Sequence, residues 1–203
     1  ANGNAPYVNF CDPDHSYPAT SYKIFGPEAY EGGGLWNDTN PDMAGFVEFE
    51  RDIRHHSNPN LQYCGVMDAF TPDRTPVLTA LTEEFTFFDK FFCSVPGPTW
   101  PNRLFALTAT SAGLTETIPW YHGKVGNLFP QKTIFDQVEE KGGSWRYYYD
   151  DTPWELFIEQ LAHSPEKTHD MNRFYDDAAN GNLPNFAFIN PRAGVNLTAG
   201  LGS

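Results

Sequence analysis

Cysteine and basic charge are scarce in this chain, and long apolar runs are missing. The 203 residues hold three cysteines, Cys11, Cys64 and Cys93. So few, in a chain this long, exclude a small disulfide-framed scaffold. They leave either one disulfide with one free thiol, as secretion would suit, or three reduced thiols; spacing does not choose a pair. Only 13 Lys and Arg stand against 26 Asp and Glu, a formal net charge of −13. Such a surface repels nucleic acid and anionic bilayers, and no nucleic-acid partner is expected. An anionic substrate would need a local cluster of donors or a metal. No stretch approaches the roughly 20 apolar residues of a membrane span, and the densest cluster, Phe85 to Val95, is interrupted by Asp89 and Lys90. No charged leader followed by an apolar segment is present and residue 1 is Ala, which reads as a processed mature form or an internal piece.

Aromatic side chains are plentiful, with 17 Phe and 10 Tyr, and they argue for a packed core despite 17 Gly and 17 Pro. The length suits one domain, residues 1–203, large enough to bury a sizeable core. Two sequons, Asn37-Asp38-Thr39 and Asn196-Leu197-Thr198, mark Asn37 and Asn196 as glycosylation candidates and fit a secreted or lumenal route.

Helical and strand-like segments alternate along the chain, the pattern of an α/β layered domain. After Pro41, residues Phe46, Phe49 and Ile53 recur at helical spacing. Thr75-Pro76 opens a helix whose stripe of Val77, Leu78, Leu81 and Phe85 is expected to be buried. Phe85 to Val95 reads as a buried strand. Thr133 starts a helix through Ile134, Phe135 and Val138 that stops at Gly142-Gly143, and Ser144 to Tyr149 follows as a strand. Thr152-Pro153-Trp154-Glu155 has the form of a capping box ahead of Leu156, Phe157 and Leu161. Met171, Phe174 and Ala178 predict one more helix, ending near Gly181, and Asn185 to Asn190 a further strand.

The segment from Ser94 to Arg103 carries the most chemistry. It joins the apolar run to a helix start, with Pro101 suited to a first turn. Thr99 sits at that junction, where free N–H groups and the positive end of the helix dipole favour an anion, phosphate above all. Position alone equally suits a helix N-cap, a common use of Thr.

The residues SVPGPTWPNRLFALTATSAG, 94–113, resemble the nucleophile segment of the phosphoesterase family that holds non-specific phospholipases C and certain acid phosphatases. Further similarities occur in the same order. Asp12-Pro13-Asp14-His15-Ser16 is similar to a DPxHS segment, and Asp68 to Asp73 precedes Pro76-Val77-Leu78 as in that family. Glu84 to Asp89 lies before the nucleophile segment and Phe129 to Asp136 after it. The resemblance implies an alkaline-phosphatase-like fold, a three-layer α/β/α arrangement on a mainly parallel sheet, of which this chain would hold a partial domain. It implies Thr99 as nucleophile, forming a transient phosphothreonine, and His15 as phosphate contact or proton donor to the leaving group. Asn102 and Arg103 also match; contact with phosphate and packing beneath the nucleophile loop both remain open for them.

Segments like ENRSFDH, D-x-H-P and DEHGG, which the family carries at its two ends, are missing between residues 1 and 203. The resemblance therefore implies that any divalent metal would take its ligands mostly outside this stretch, which itself offers none. Missing segments or a second chain would complete the site. Three functions follow as expectations: phospholipase C-like hydrolysis of glycerophospholipids, acid phosphatase action on soluble phosphomonoesters, or a non-catalytic fragment with a structural or assembly role. His55-His56 reads as a solvated face, His122, His163 and His169 lack partners at ligand spacing, and Tyr147-Tyr148-Tyr149 reads as a buried strand or a headgroup cleft.

Overall fold

Three parallel strands organise the C-terminal half: β1 (Trp145–Tyr149), β2 (Thr168–Asp170) and β3 (Phe186–Asn190), in the order β2-β1-β3. This computed structural model describes residues 5, 7, 11–28, 41, 43–54, 65–117, 129–151 and 153–192. The expectations for Asn37, Asn196, Cys64, His55-His56, His122 and Thr152 lie outside the described residues. The helices are α1 (Tyr17–Phe25), α2 (Gly45–Glu48), α3 (Pro76–Glu84), α4 (Thr99–Thr108), α5 (Ile134–Glu140), α6 (Glu159–Ala162) and α7 (Met171–Ala179). Two compact units divide the chain, one of residues 1–102 and 113–117, the other of 103–112 and 118–203.

In the second unit, β1 is the central strand, paired on both edges, and helices lie on both of its faces, so Tyr147 and Tyr148 are both fully buried. Phe135 of α5 packs against Trp145, Phe186 and Phe188 on one face. Tyr148, which points the opposite way from Tyr147, meets Phe174 of α7 on the other. Helix, sheet and helix thus form three layers, as expected of an α/β phosphoesterase fold. Local chemistry explains why α5 starts where it does: Thr133 accepts from the Asp136 N–H while the Asp136 carboxylate accepts from the Thr133 N–H. Gly142, at φ +75°, ends it with a conformation that a side chain would strain.

Asp177 of α7 gathers the polar contacts beneath this face. It accepts from Tyr148 Oη and Arg146 Nη1, each at 2.7 Å, and from Arg173 Nε at 2.9 Å. Burial alone would raise its carboxyl pKa; the hydrogen bonds from Tyr148 and Arg173, with the charges of Arg146 and Arg173, pull it below the ordinary 3.8. His169 on β2 is shifted below the ordinary 6.5, first by burial and then by repulsion from Arg173 and Arg146. Both groups bind fewer protons folded than unfolded, so stability rises with pH through each transition. Thermal stability is expected to fall as pH drops below 6.5, where unfolded His169 charges first, and again below 3.8 as Asp177 is neutralised. A His169→Asn variant should lose the first of these two declines in a pH series of melting curves, and an unchanged decline would contradict the assignment.

The first unit departs from the periodic reading in two places. Phe85 to Val95 is not a strand: it runs irregularly, with Phe85, Phe87, Phe88, Phe91 and Phe92 exposed. A strand needs a neighbouring edge, and among the described residues none pairs with this segment. Helix α3 forms where Thr75-Pro76 predicts it, yet Val77, Leu78 and Leu81 are exposed, because no described element packs over that stripe. Helix α2 continues as a π-helical turn, Phe49–Arg54, and packs on α1 through Tyr22 and Phe49. Gly45 allows that approach, since a Cβ there would lie 2.6 Å from Tyr22 O and 2.9 Å from Lys23 Cα.

Candidate active site

Helix α4 begins at Thr99 itself, so Pro98 occupies the position before the first helical residue and Thr99 is exposed. Pro101, third in the helix, is fully buried, and its missing N–H costs no helical bond in that first turn. The loop ahead of the helix is held by one side chain. Asn102 Oδ1 accepts from the Val95 N–H at 3.0 Å, and Nδ2 donates to Val95 O, Gly97 O and Pro98 O at 2.9, 3.3 and 3.0 Å. Both ends of the amide are therefore engaged by the loop that presents Thr99. The Trp100 N–H donates to Thr117 Oγ1 at 3.3 Å.

A cleft of about 320 Å³ opens beside this loop, lined by Pro98 and Thr117, by Glu116, by Arg54 and by the segment Asp12 to Ser16. Thr99 follows Pro98 in the chain but is not itself among the residues that line the cleft. His15 is exposed, with Nδ1 2.9 Å from Pro13 O and 3.5 Å from Asp12 Oδ1. In the tautomer that donates from Nδ1 to Pro13, Nε2 is the nitrogen left for a substrate. Two caps shape the backbone next to it: Asp14 Oδ1 accepts from the Ser16 N–H at 2.9 Å, and Ser16 Oγ accepts from the Ala19 N–H as N-cap of α1. The structure so brings His15 and the loop of Thr99 to one cleft of the first unit.

Arg103 belongs to the second unit. It donates from Nη1 to Glu155 Oε1, while Tyr147 Oη donates to Glu155 Oε2. Glu155 and Tyr147 are fully buried. Burial, then the charge of Glu155 and its hydrogen bond, pushes the Tyr147 hydroxyl far above its ordinary range, so it stays a donor. Glu155 looked like the last member of a capping box. Here Trp154–Phe157 forms a 3₁₀ turn and Glu155 is a buried acceptor for Tyr147, in the preceding strand, and for Arg103, distant in sequence. Cys11 is disulfide-bonded, and Cys93 is a free, exposed thiol. Among the described residues, no three His, Cys, Asp or Glu side chains converge to hold a metal ion, so this donor set does not fit one.

The sequence matches the Phosphoesterase family over residues 2–198. The chain belongs to the phosphoesterase family. Among its relatives from Arabidopsis thaliana, it is 36% identical over 190 residues to non-specific phospholipase C6, covering 91% of this chain and 34% of the relative. It is likewise 36% identical over 186 residues to non-specific phospholipase C1, covering 89% and 32%, and 35% identical over 192 residues to non-specific phospholipase C4, covering 92% and 34%. This phosphoesterase chain spans about a third of the length of the relatives it matches.

Lys23, Glu50 and Arg54, which belong to no motif in the sequence, cluster behind the His15 segment. A faint signal existed. Glu50 follows Phe49 directly on a helix whose apolar stripe is Phe46, Phe49 and Ile53, and it stands four residues before Arg54.

Proposed function

We propose that this chain carries the nucleophile and a phosphate-contacting histidine of a phospholipase C-like enzyme that hydrolyses glycerophospholipids. The observation that carries the reading is the exposed Thr99 at the first position of α4, on a loop whose Pro98 shares a cleft with His15. The Thr99 hydroxyl attacks phosphorus and gives its proton to solvent, the P–O bond to glycerol breaks, and the glycerol oxygen leaves as diacylglycerol with a proton from His15 Nε2. The ring carries a proton on both nitrogens before this transfer and regains one from the water of the next step. Water then hydrolyses the phosphothreonine and releases the phosphorylated headgroup. The α4 N-terminus supplies partial positive charge to the phosphoryl oxygens. Asn102, whose bonds run to the loop, serves as scaffold for the nucleophile in this reading, and Arg103 pairs with Glu155 within the second unit.

Familial identity to three phospholipases C supports the substrate class, and a disulfide at Cys11 supports a secreted or lumenal setting. Any divalent metal would take its ligands from outside the described residues. Incubation of the enzyme with phosphatidylcholine should release phosphocholine. Release of inorganic phosphate from soluble monoesters without phosphocholine would instead assign it as an acid phosphatase, and neither product would leave a structural role.

A further inference from the structure

We propose that Glu50 and Lys23 are positioning residues for His15, acting through the backbone of Asp14; this rests on the reading of His15 given above. Lys23 and Glu50 are 4% and 3% exposed, and Lys23 Nζ lies 2.6 Å from Glu50 Oε1. One further bond from each converges on one loop. The Asp14 N–H donates to Glu50 Oε1 at 3.0 Å, and Lys23 Nζ donates to Asp14 O at 2.5 Å. The peptides before and after Asp14 are each gripped by one member of the pair, and the second of these peptides contains the His15 nitrogen. Arg54 occupies the other Glu50 oxygen at 2.9 Å, and the Phe49 ring lies 5.1 Å from Lys23 Nζ.

Burying two charges carries a large desolvation penalty, and apolar replacements of such pairs are often as stable or more so. Stability is therefore a poor account of the arrangement, whereas conformation is a good one. Without the pair, both Asp14 peptides would lose these partners. Among the described residues, the segment Asp12 to Ser16 would keep its own short-range turns and the tether of the disulfide-bonded Cys11 beside it. Gly45 belongs to the same device, because any side chain there would push α2 off α1 and separate Glu50 from Lys23.

The test uses the 203-residue chain with isotopically labelled histidine, in which the His15 ring signal among six histidines is assigned by its loss in His15→Asn. Glu50→Gln and the double variant Lys23→Met/Glu50→Leu are compared with the parent, with inorganic phosphate as the probe. In both variants the His15 signal should move toward that of an unstructured histidine, and the phosphate midpoint should rise by about tenfold or more. The double variant should keep the near-UV circular dichroism of the parent and melt within about 5 °C of it. An unchanged His15 signal in a folded variant would overturn the proposal, and so would loss of the native near-UV spectrum in both, which would make the pair purely structural. If His15 in the parent ignores phosphate, its role in the proposed reaction fails. Its phosphate-free signal in the double variant then still decides the positioning claim.

Discussion

Thr99→Val in the full-length enzyme is expected to lower phosphodiester turnover by about three orders of magnitude or more while leaving the fold intact. Valine keeps the branched shape of threonine and removes only the hydroxyl. Because Thr99 is exposed and begins α4 after Pro98, that change leaves the buried side of the helix, Trp100, Pro101 and Leu104, untouched. The stability cost should stay near or below about 1 kcal/mol. Thr99→Ser, which restores a hydroxyl, should recover much of the rate. Acid quenching during turnover should trap phosphothreonine in the parent and none in Thr99→Val. A valine variant that retains most of its turnover would show that the hydroxyl is not the nucleophile.

Arg103→Ala should destabilise the chain by about 3–5 kcal/mol, the largest loss expected from any one substitution discussed. The reason lies with the partner left behind. Glu155 is fully buried, with one oxygen given to Arg103 and the other to Tyr147. Removing the guanidinium leaves a carboxylate inside the protein with a neutral hydroxyl as its main donor. Tyr147→Phe keeps the ion pair and removes one hydrogen bond, so it should cost about 1–3 kcal/mol. Arg103→Met/Glu155→Met removes both charges and should recover most of the stability lost in Arg103→Ala. Urea unfolding of the four proteins checks the order. A loss below about 1 kcal/mol in Arg103→Ala would mean that water reaches Glu155 and that the pair behaves like a surface one.

Elements specified by neighbours in sequence were legible, and those specified by distant partners were not. Helix α5 could be read from Thr133 and Asp136 at one end and Gly142 at the other, signals within ten residues of each other. β1, β3 and α7 likewise carry their own periodicity. β2 is three residues long, too short to show any. Phe85 to Val95 has the composition of a strand, but composition cannot supply the edge a strand needs. Glu155 fitted a local capping pattern and was recruited by Arg103, 52 residues away. In the candidate site, Thr99 and His15 were visible through short motifs. Glu50 and Lys23, 27 residues apart, form a pair that only the packing of α2 on α1 creates.

The exposed Phe85, Phe87, Phe88, Phe91 and Phe92 have a consequence for how this chain behaves in solution. Rings on an open backbone are sticky, and the interruptions within the run are few: Thr86, Asp89 and Lys90. Mutual repulsion between copies, from a net charge of −13, is what opposes their clustering. That repulsion vanishes near pH 4.7, the isoelectric point, and is screened by salt. Colloidal behaviour is thus tied to acidity: the chain is best dispersed in dilute, neutral buffer and most prone to precipitate in the mildly acidic range.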